Sequence, residues 1–250
     1  MKLVLFNLKA YLDVEESVKL AAAIGKAKVD EEIVIAPSQL SLQAVSKKLR
    51  GKKVSLCAQD FSYSHSYGAH TGDVLLDDIK KIGCRYAMIG HSEVRHREAP
   101  RIGDGDELVS KKIVMCLEAG IVPILCFGET AKEKDSGKTY DVIRRQLESA
   151  FSGIDGEAEA EAVLAYEPVW AISSAAGSKG CDIGYVRRIE ALARKTVKKS
   201  IGFRFVYGGS VDAGNISDYL SDGMIDGVLI GRAGASLSSM HSIFERLKKA

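Results

Sequence analysis

The sequence predicts an α/β fold, a (β/α)8 TIM barrel in which eight parallel strands are ringed by helices. Eight short apolar segments recur along the chain, and each is followed by residues with helical apolar spacing. The strand segments are almost continuously apolar and β-branched, which is typical of parallel strands covered on both faces. The 250 residues suit one barrel, and no linker divides them, so we expect a single domain over residues 1–250. An open dinucleotide-binding sheet has little support because no G-x-G-x-x-G follows an early strand.

The eight units can be placed in order. Strands are predicted at 3–6, 32–36, 53–58, 86–90, 121–127, 162–166, 204–207 and 225–230. The main helices are predicted at 14–24, 40–49, 73–82, 107–119, 139–150, 183–199, 216–220 and 237–249. Pro37 ends the second strand, and Gly25, Gly51 and Gly120 follow helices, as these residue types do at element ends.

Composition excludes several classes of partner. The net charge of +2, from 35 basic and 33 acidic residues, gives no basic face that would indicate nucleic acid or a membrane surface. The five cysteines form no C-x-x-C pair, so neither a disulfide framework nor a zinc site is indicated. No apolar run approaches the roughly 18 residues of a membrane span. We therefore expect a soluble cytoplasmic protein with no nucleic acid or membrane partner.

A carboxylate stands where the sixth strand ends. Pro168 keeps Glu167 out of the helical region and holds it extended, which fixes the direction of its side chain. Taken alone, Glu167 is equally well explained as a surface residue that ends a strand. In a barrel, however, the loops after the strands meet at one mouth. Polar residues follow five other strands: Asn7 and Lys9, His91 and Glu93, Cys126 and Glu129, Gly208 to Ser210, and Gly231 with Arg232.

Each of these residues has an ordinary explanation by itself. A lone histidine, for example, is more often a partly buried structural residue than a functional one. Together, a carboxylate, an imidazole, an ammonium group and glycines after the last two strands indicate proton abstraction beside the carbonyl of a phosphorylated substrate.

Five segments in order resemble the signatures of the triosephosphate isomerase family. They are Asn-Leu-Lys at 7–9, Ile-Gly-His-Ser-Glu-Val-Arg at 89–95, Ala-Tyr-Glu-Pro-Val-Trp-Ala-Ile at 165–172, Tyr-Gly-Gly-Ser-Val at 207–211 and Asp-Gly-Val-Leu-Ile-Gly at 226–231. The resemblance implies the interconversion of dihydroxyacetone phosphate and D-glyceraldehyde 3-phosphate through an enediolate, in glycolysis and gluconeogenesis. It implies no metal and no organic cofactor.

The family's known division of roles is carried over onto matching positions. Glu167 is expected to be the general base and His91 the neutral electrophile. Asn7 and His91 would hydrogen-bond the two substrate oxygens. Lys9 would stabilise developing negative charge, and Glu93 would form an ion pair with Lys9. For Cys126 we favour packing over a chemical role.

The same resemblance places the phosphate site and a lid. Backbone N–H groups of Ser173, Ser210, Gly231 and Arg232 are expected to hold the phosphate. The lid would consist of Pro168, Val169, Trp170, Ala171, Ile172, Ser173, Ser174, Ala175, Ala176 and Gly177. Its tip differs from the family's usual Gly-Thr-Gly-Lys, so we expect a functioning lid with altered opening kinetics.

Other positions also depart from the family pattern. Arg232 stands where many relatives carry glycine, and it either adds a cation beside the phosphate or turns outward to a carboxylate. Val94 replaces a usual arginine, which removes one structural ion pair. The loop from Tyr67 to Asp73 resembles the loop that enters a neighbouring subunit, so a homodimer is expected, although His70 replaces a usual apolar residue. A tetramer is compatible with the same loop.

Two other functions rank behind this one. The first is another phosphosugar isomerase or epimerase, since many barrels share the phosphate cradle. A panel of phosphorylated ketoses would separate the two enzymes. The second is a non-catalytic protein that binds a phosphorylated ligand, in which the altered lid has abolished turnover. Tight binding of an enediolate mimic without turnover would identify it.

Overall fold

The computed structural model describes residues 1–64, 67–97, 103–154, 160–172 and 180–248. Eight parallel strands form a closed barrel in chain order, which confirms the predicted fold class. The strands are β1 (Leu3–Asn7), β2 (Glu32–Ala36), β3 (Val54–Ala58), β4 (Cys84–Ile89), β5 (Val122–Phe127), β6 (Ala160–Tyr166), β7 (Ile201–Tyr207) and β8 (Gly227–Ile230).

Helices surround the strands. They are α1 (Val14–Ile24), α2 (Leu42–Leu49), α3 (Leu76–Ile82), α4 (Ser92–Arg95), α5 (Asp106–Ala119), α6 (Ala131–Asp135), α7 (Thr139–Ala150), α8 (Ile183–Thr196), α9 (Ile216–Leu220) and α10 (Leu237–Leu247). Short 3-10 helices lie at Gln39–Ser41, Val169–Ala171 and Arg232–Gly234. In the described part of the chain, no helix combines the length and the apolar character needed to span a bilayer.

Several predicted boundaries were wrong for local reasons. Strands β6 and β7 begin earlier than predicted because their first residues pair from Ala160 and Ile201 although these segments contain polar residues. Helix α3 begins at residue 76 because Leu75 is extended, and α8 ends at residue 196 because Val197 is extended. The unpredicted helix α6 is stabilised by a capping box in which Thr130 and its partner Glu133 bond each other's backbone.

The alternation of side chains along each strand divides the apolar residues into two cores. In β1, Leu3 and Leu5 point into the barrel interior, whereas Val4 and Phe6 pack in the larger cluster between strands and helices. The interior is completed by side chains from the other strands that range in size from Ala36 to Tyr86, as in packed barrels of this class.

The barrel closes between β1 and β8, where Gly227 pairs with Leu3. A Cβ atom at residue 227 would lie 2.0 Å from the carbonyl oxygen of Leu3, so closure requires a glycine here.

A polar network joins three strands at the end of the barrel opposite the mouth. The Glu32 carboxylate accepts hydrogen bonds from the Tyr86 hydroxyl at 2.6 Å and from Arg204 Nη1 at 2.7 Å. Burial raises the pKa of Glu32, but these two donors lower it to a net value below its usual range. Burial also raises the pKa of Tyr86 to about 12. The network holds β2, β4 and β7 together, away from the predicted site residues.

Candidate active site

Glu167 directly follows β6. Its backbone N–H donates to the carbonyl of Phe127 at 2.8 Å, and its side chain is buried. Two glycines make room for it. A Cβ at Gly208 would lie 2.7 Å from Glu167 Cγ, and a Cβ at Gly128 would lie 2.2 Å from the Glu167 carbonyl oxygen. Glu167 therefore occupies space that a side chain at residue 128 or 208 would take up.

His91 follows β4 and is also buried. Its Nδ1 accepts the backbone N–H of Glu93 at 3.1 Å and so caps α4, while its Nε2 lies 3.5 Å from Glu167 Oε1. Because Nδ1 acts as an acceptor, a neutral ring with these contacts carries its proton on Nε2. That N–H faces the carboxylate side of the site.

The two buried groups shift each other's ionisation. Burial raises the pKa of Glu167, but His91, the Cys126 thiol and Lys9 lower it to a net value below its ordinary one. Burial lowers the pKa of His91, and the Glu167 carboxylate raises it to a net value above its ordinary one. The Glu93 N–H opposes protonation of His91, because protonating Nδ1 would remove that hydrogen bond.

Asn7 and Lys9 lie at the end of β1. The Asn7 Oδ1 accepts the backbone N–H of Lys9 at 3.0 Å, and Lys9 has a φ of +46° in the left-handed region. The Lys9 ammonium lies 2.7 Å from Glu93 Oε1, so the expected ion pair is present. Only 10% of the Lys9 side chain is exposed, so this cation is fixed rather than freely solvated.

Cys126 lies on β5, and its side chain is buried in the barrel interior. Burial raises the pKa of the Cys126 thiol, which therefore stays protonated, and the thiol lowers the pKa of Glu167. The preference for packing over a chemical role at Cys126 stays a prediction. Within the described ranges, no three His, Cys, Asp or Glu side chains are grouped as a metal ion would need.

The first part of the predicted lid, Pro168 to Ile172, is described. Its 3-10 turn is tied to the barrel by the Val169 N–H, which donates to the Glu129 carbonyl at 2.9 Å. The Ser210 hydroxyl also donates to the Ala171 carbonyl at 2.7 Å. Residues 173–177, which include the predicted phosphate contact at Ser173 and the lid tip, lie outside the described residues.

The sequence prediction named Glu129 only as a polar strand-end residue and missed its contacts. Its fully buried carboxylate accepts from Trp170 Nε1 at 2.8 Å, from the Tyr185 hydroxyl at 3.0 Å and from the Tyr166 hydroxyl at 3.0 Å. These donors come from β6, the lid segment and α8. One sequence feature could have indicated that Glu129 lies near the site: it stands two residues beyond β5, at the same mouth of the barrel as Glu167.

The far end of the lid loop is tied down in a similar way. The backbone N–H of Cys181 donates to the Tyr207 hydroxyl oxygen at 2.6 Å, and the Tyr219 hydroxyl donates to the Cys181 carbonyl at 2.8 Å. The near end is thus attached through Glu129 and Ser210, and the far end through the aromatic side chains Tyr207 and Tyr219.

The remaining predicted phosphate residues lie on the loops after β7 and β8. Ser210 has a φ of +50°, and Gly231 precedes the short helical turn that starts at Arg232. The Arg232 guanidinium lies 5.8 Å from the centre of the Tyr11 ring. It forms no ion pair with a carboxylate of the described chain, so the outward alternative predicted for Arg232 is not observed.

The architecture and the site together define a (β/α)8-barrel protein with a buried carboxylate and imidazole at the carboxyl ends of its strands. A sequence model described as triosephosphate isomerase matches residues 2–247. Among curated proteins, the triosephosphate isomerase of Syntrophotalea carbinolica is 38% identical over 235 residues, which cover 89% of each chain. That of Dictyoglomus thermophilum is 36% identical over 245 residues, 94% of each chain. That of Aquifex aeolicus is 38% identical over 214 residues, 85% of this chain and 84% of its own. This chain belongs to the triosephosphate isomerase family.

Proposed function

We propose that Glu167 and His91 carry out the proton transfers of this enzyme. Family membership makes the chain an isomerase of glycolysis that interconverts dihydroxyacetone phosphate and glyceraldehyde 3-phosphate. The observation that supports the residue roles is the buried pair, in which His91 Nε2 lies 3.5 Å from Glu167 Oε1.

The reaction needs a base beside a carbonyl. In the proposed first step the Glu167 carboxylate takes a proton from the hydroxymethyl carbon of dihydroxyacetone phosphate. The electrons of that C–H bond form a carbon–carbon double bond, and the carbonyl electrons move onto oxygen to give an enediolate. His91 Nε2–H gives its proton to the oxygen of the second carbon and takes back the proton of the hydroxyl on the first carbon. Glu167 then returns its proton to the second carbon, and the electrons left on the first oxygen form the C=O bond of the aldehyde. The lowered pKa of Glu167 supports this role because the carboxylate is ionised near neutral pH.

Buried polar atoms support the proposed substrate contacts. His91 Nε2 and Glu167 Oε2 have no hydrogen-bond partner among the described residues. A hydroxyl or carbonyl oxygen of a triose would supply partners, which makes occupancy of this position favourable. We propose that His91 Nε2–H and Asn7 contact the two substrate oxygens.

Lys9 is proposed to stabilise the enediolate. Its ammonium is already held by Glu93, so little reorganisation is needed when negative charge develops on the substrate. Such a fixed cation favours the transition state over the ground state, and this difference raises turnover.

We propose that the phosphate binds to backbone N–H groups of Ser210, Gly231 and Arg232, together with Ser173 of the lid. Backbone donors suit a dianion because they need no side-chain ordering. Pro168 to Gly177 would close over the substrate, with altered opening kinetics because of its serine-rich tip. The ties from Glu129 and Ser210 to the first lid residues support a hinge at this end of the segment.

The experiment is a coupled isomerase assay in both directions with purified protein. Glu167→Gln should lower kcat by a factor of about 10²–10⁴, the range for loss of a general base. Glu161→Gln is the matched control, because it makes the same chemical change on the same strand with a side chain that is 57% exposed. The roles proposed here are wrong if Glu167→Gln retains wild-type activity. If the wild-type protein has no isomerase activity, the function itself is wrong.

We also propose a homodimer. The loops after β1, β2 and β3 leave four large apolar or aromatic side chains exposed: Tyr11 at 39%, Leu40 at 83%, Tyr63 at 43% and Tyr67 at 54%. A second subunit that receives the loop Tyr67 to Asp73 would cover such a surface. Sedimentation of wild type and Leu40→Glu tests this, with a shift to monomer expected for the variant. We further propose that residues 1–250 form one domain and that the protein is cytoplasmic.

A further inference from the structure

The first and last helices of the ring, α1 and α10, leave a groove between them. Neighbouring helices pack closely elsewhere, for example α1 on α2 and α7 on α8, but the seam between α1 and α10 encloses about 800 Å³. Met240 and Phe244 of α10 lie buried beneath it. Its accessible apolar atoms come from Ala22, Ala23 and Ala27 of α1, which are partly exposed, and from Leu237 of α10, which is 46% exposed. The groove thus offers apolar surface on the outside of the barrel, away from the mouth.

The edges of this groove are basic. Lys19, Lys26, Lys28, His241 and Lys248 line it, and Glu245 is the one acidic side chain in the lining. Lys19 is paired with Glu15, and Lys248 with Glu245. Lys26 and Lys28 form no ion pair with any residue of the described chain.

The positive surface continues past the end of α1. A Cβ at Gly25 would lie 3.2 Å from Lys52 Cγ, so the Lys52 side chain packs against Gly25, the residue before Lys26 in the chain. Residues 33–59 contain no acidic side chain, and this segment exposes Lys47, Lys48, Arg50, Lys52 and Lys53. One end of the apolar groove therefore opens onto a concentrated positive charge, although the whole chain has a net charge of only +2.

We propose that this groove binds an acidic amphipathic helix of a partner protein. The apolar face of such a helix would cover Leu237 and the partly exposed alanines Ala22, Ala23 and Ala27, and its carboxylates would reach Lys26 and Lys28. Helix-in-groove binding uses this combination of an apolar stripe and flanking charge. Helix α10 has 11 residues and spans about 16 Å, so it matches a partner helix of about three turns.

A second copy of this chain does not supply the matching helix. Every described helix with two or more acidic side chains also carries a lysine or an arginine: α1, α3, α5, α6 and α7. Charge complementarity therefore favours a different protein.

The test uses an 18-residue labelled helical peptide with leucines at i, i+3, i+4 and i+7 spacing and glutamates on the flanking positions. Its binding to the full-length protein is measured by fluorescence anisotropy at low and high salt. We expect saturable binding that Lys26→Glu with Lys28→Glu weakens at least about tenfold, since close rim charges direct such contacts. Lys195→Glu with Lys199→Glu is the matched control, because it changes the net charge equally outside the groove lining and should leave binding unchanged.

Leu237→Ser provides a second variant that keeps the charges, and it should also weaken binding. Isomerase activity should be unchanged in all three variants, which separates this surface from the proposed catalytic site. The proposal is overturned if the peptide does not bind, if a scrambled peptide of the same composition binds equally, or if both double variants weaken binding alike. Anionic vesicles are measured in parallel. Vesicle binding that depends on Lys26 and Lys28, without peptide binding, would assign the surface to membranes and also overturn the proposal.

Discussion

Glu129 connects three elements around the start of the lid, so Glu129→Gln should loosen that region. The carboxylate accepts from Tyr166, Trp170 and Tyr185 at 2.8–3.0 Å in a fully buried position. A hydrogen bond to a charged acceptor contributes about 1.5–3 kcal/mol, against about 0.5–1.5 kcal/mol for a neutral one. Each of three bonds then weakens by about 1 kcal/mol, or about 3 kcal/mol together.

Burial of a neutral amide in place of a charge offsets part of this loss. We therefore expect Glu129→Gln to lower the free energy of unfolding by about 1–3 kcal/mol. We also expect kcat/KM to fall about tenfold, because Trp170 and its neighbours orient the segment that follows the proposed base. Tyr185→Phe is the comparison variant: it removes one of the three bonds but keeps the ring, whose centre lies 6.0 Å from that of Trp170.

Trp170 is the only tryptophan of the chain, so its fluorescence reports directly on this region. Urea unfolding followed by circular dichroism gives the stability, and acrylamide quenching gives the accessibility of Trp170. Quenching should increase in Glu129→Gln and change less in Tyr185→Phe. If the free energy of unfolding of Glu129→Gln lies within about 0.5 kcal/mol of wild type and its Trp170 quenching is unchanged, the carboxylate does not hold the start of the lid in place.

Three further predictions concern other parts of the barrel. Arg204→Met should lower the free energy of unfolding by about 2 kcal/mol at neutral pH, measured by urea unfolding. The pKa of Glu32 is lower in the folded than in the unfolded protein, so Glu32 contributes to the free energy of unfolding above its unfolded pKa of about 4.3. This contribution is lost as the pH falls through the folded pKa. The stabilities of the variant and of wild type should therefore converge in acid. Gly128→Ala should lower kcat/KM about 100-fold, since its Cβ would meet the Glu167 carbonyl oxygen; unchanged kinetics with unchanged melting would contradict this. Glu167→Gln should lower the pKa of His91 in an NMR titration, because the raising carboxylate is removed while burial remains; a higher pKa would refute the assigned cause.

The elements that could be predicted are those in which the secondary-structure preference of the local sequence agrees with the structure that the residues adopt. Strand β2 was predicted with its observed limits because an apolar run stops at Pro37, and α9 because its apolar spacing is compact. The first residues of β7, Ile201 to Phe203, were missed because Gly202 interrupts the apolar pattern. Arg204 is tolerated in a strand because Glu32 and Tyr86, distant in sequence, pair with it, and no local rule contains that information.

The site shows the same division between local and long-range information. The meeting of Glu167 and His91 could be predicted because each lies within two residues of a strand end, and the carboxyl ends of all strands meet at one mouth. The contacts of Glu129 could not be predicted, since its donors come from residues 37 to 56 positions away.

The backbone at the mouth gives one more reason to connect geometry with function. Within the described residues, Lys9 and Ser210 are the non-glycine positions with positive φ, and both belong to the predicted site. Such a conformation costs about 1–3 kcal/mol and persists only where surrounding contacts enforce it. At Lys9 the Asn7 side chain binds the backbone N–H, and at Ser210 the Asn215 amide donates to the backbone carbonyl at 3.0 Å. Replacing Asn215 by alanine should therefore disturb the proposed phosphate donors at residue 210 without touching the Glu167 pair, raising KM for the triose phosphate more than it lowers kcat.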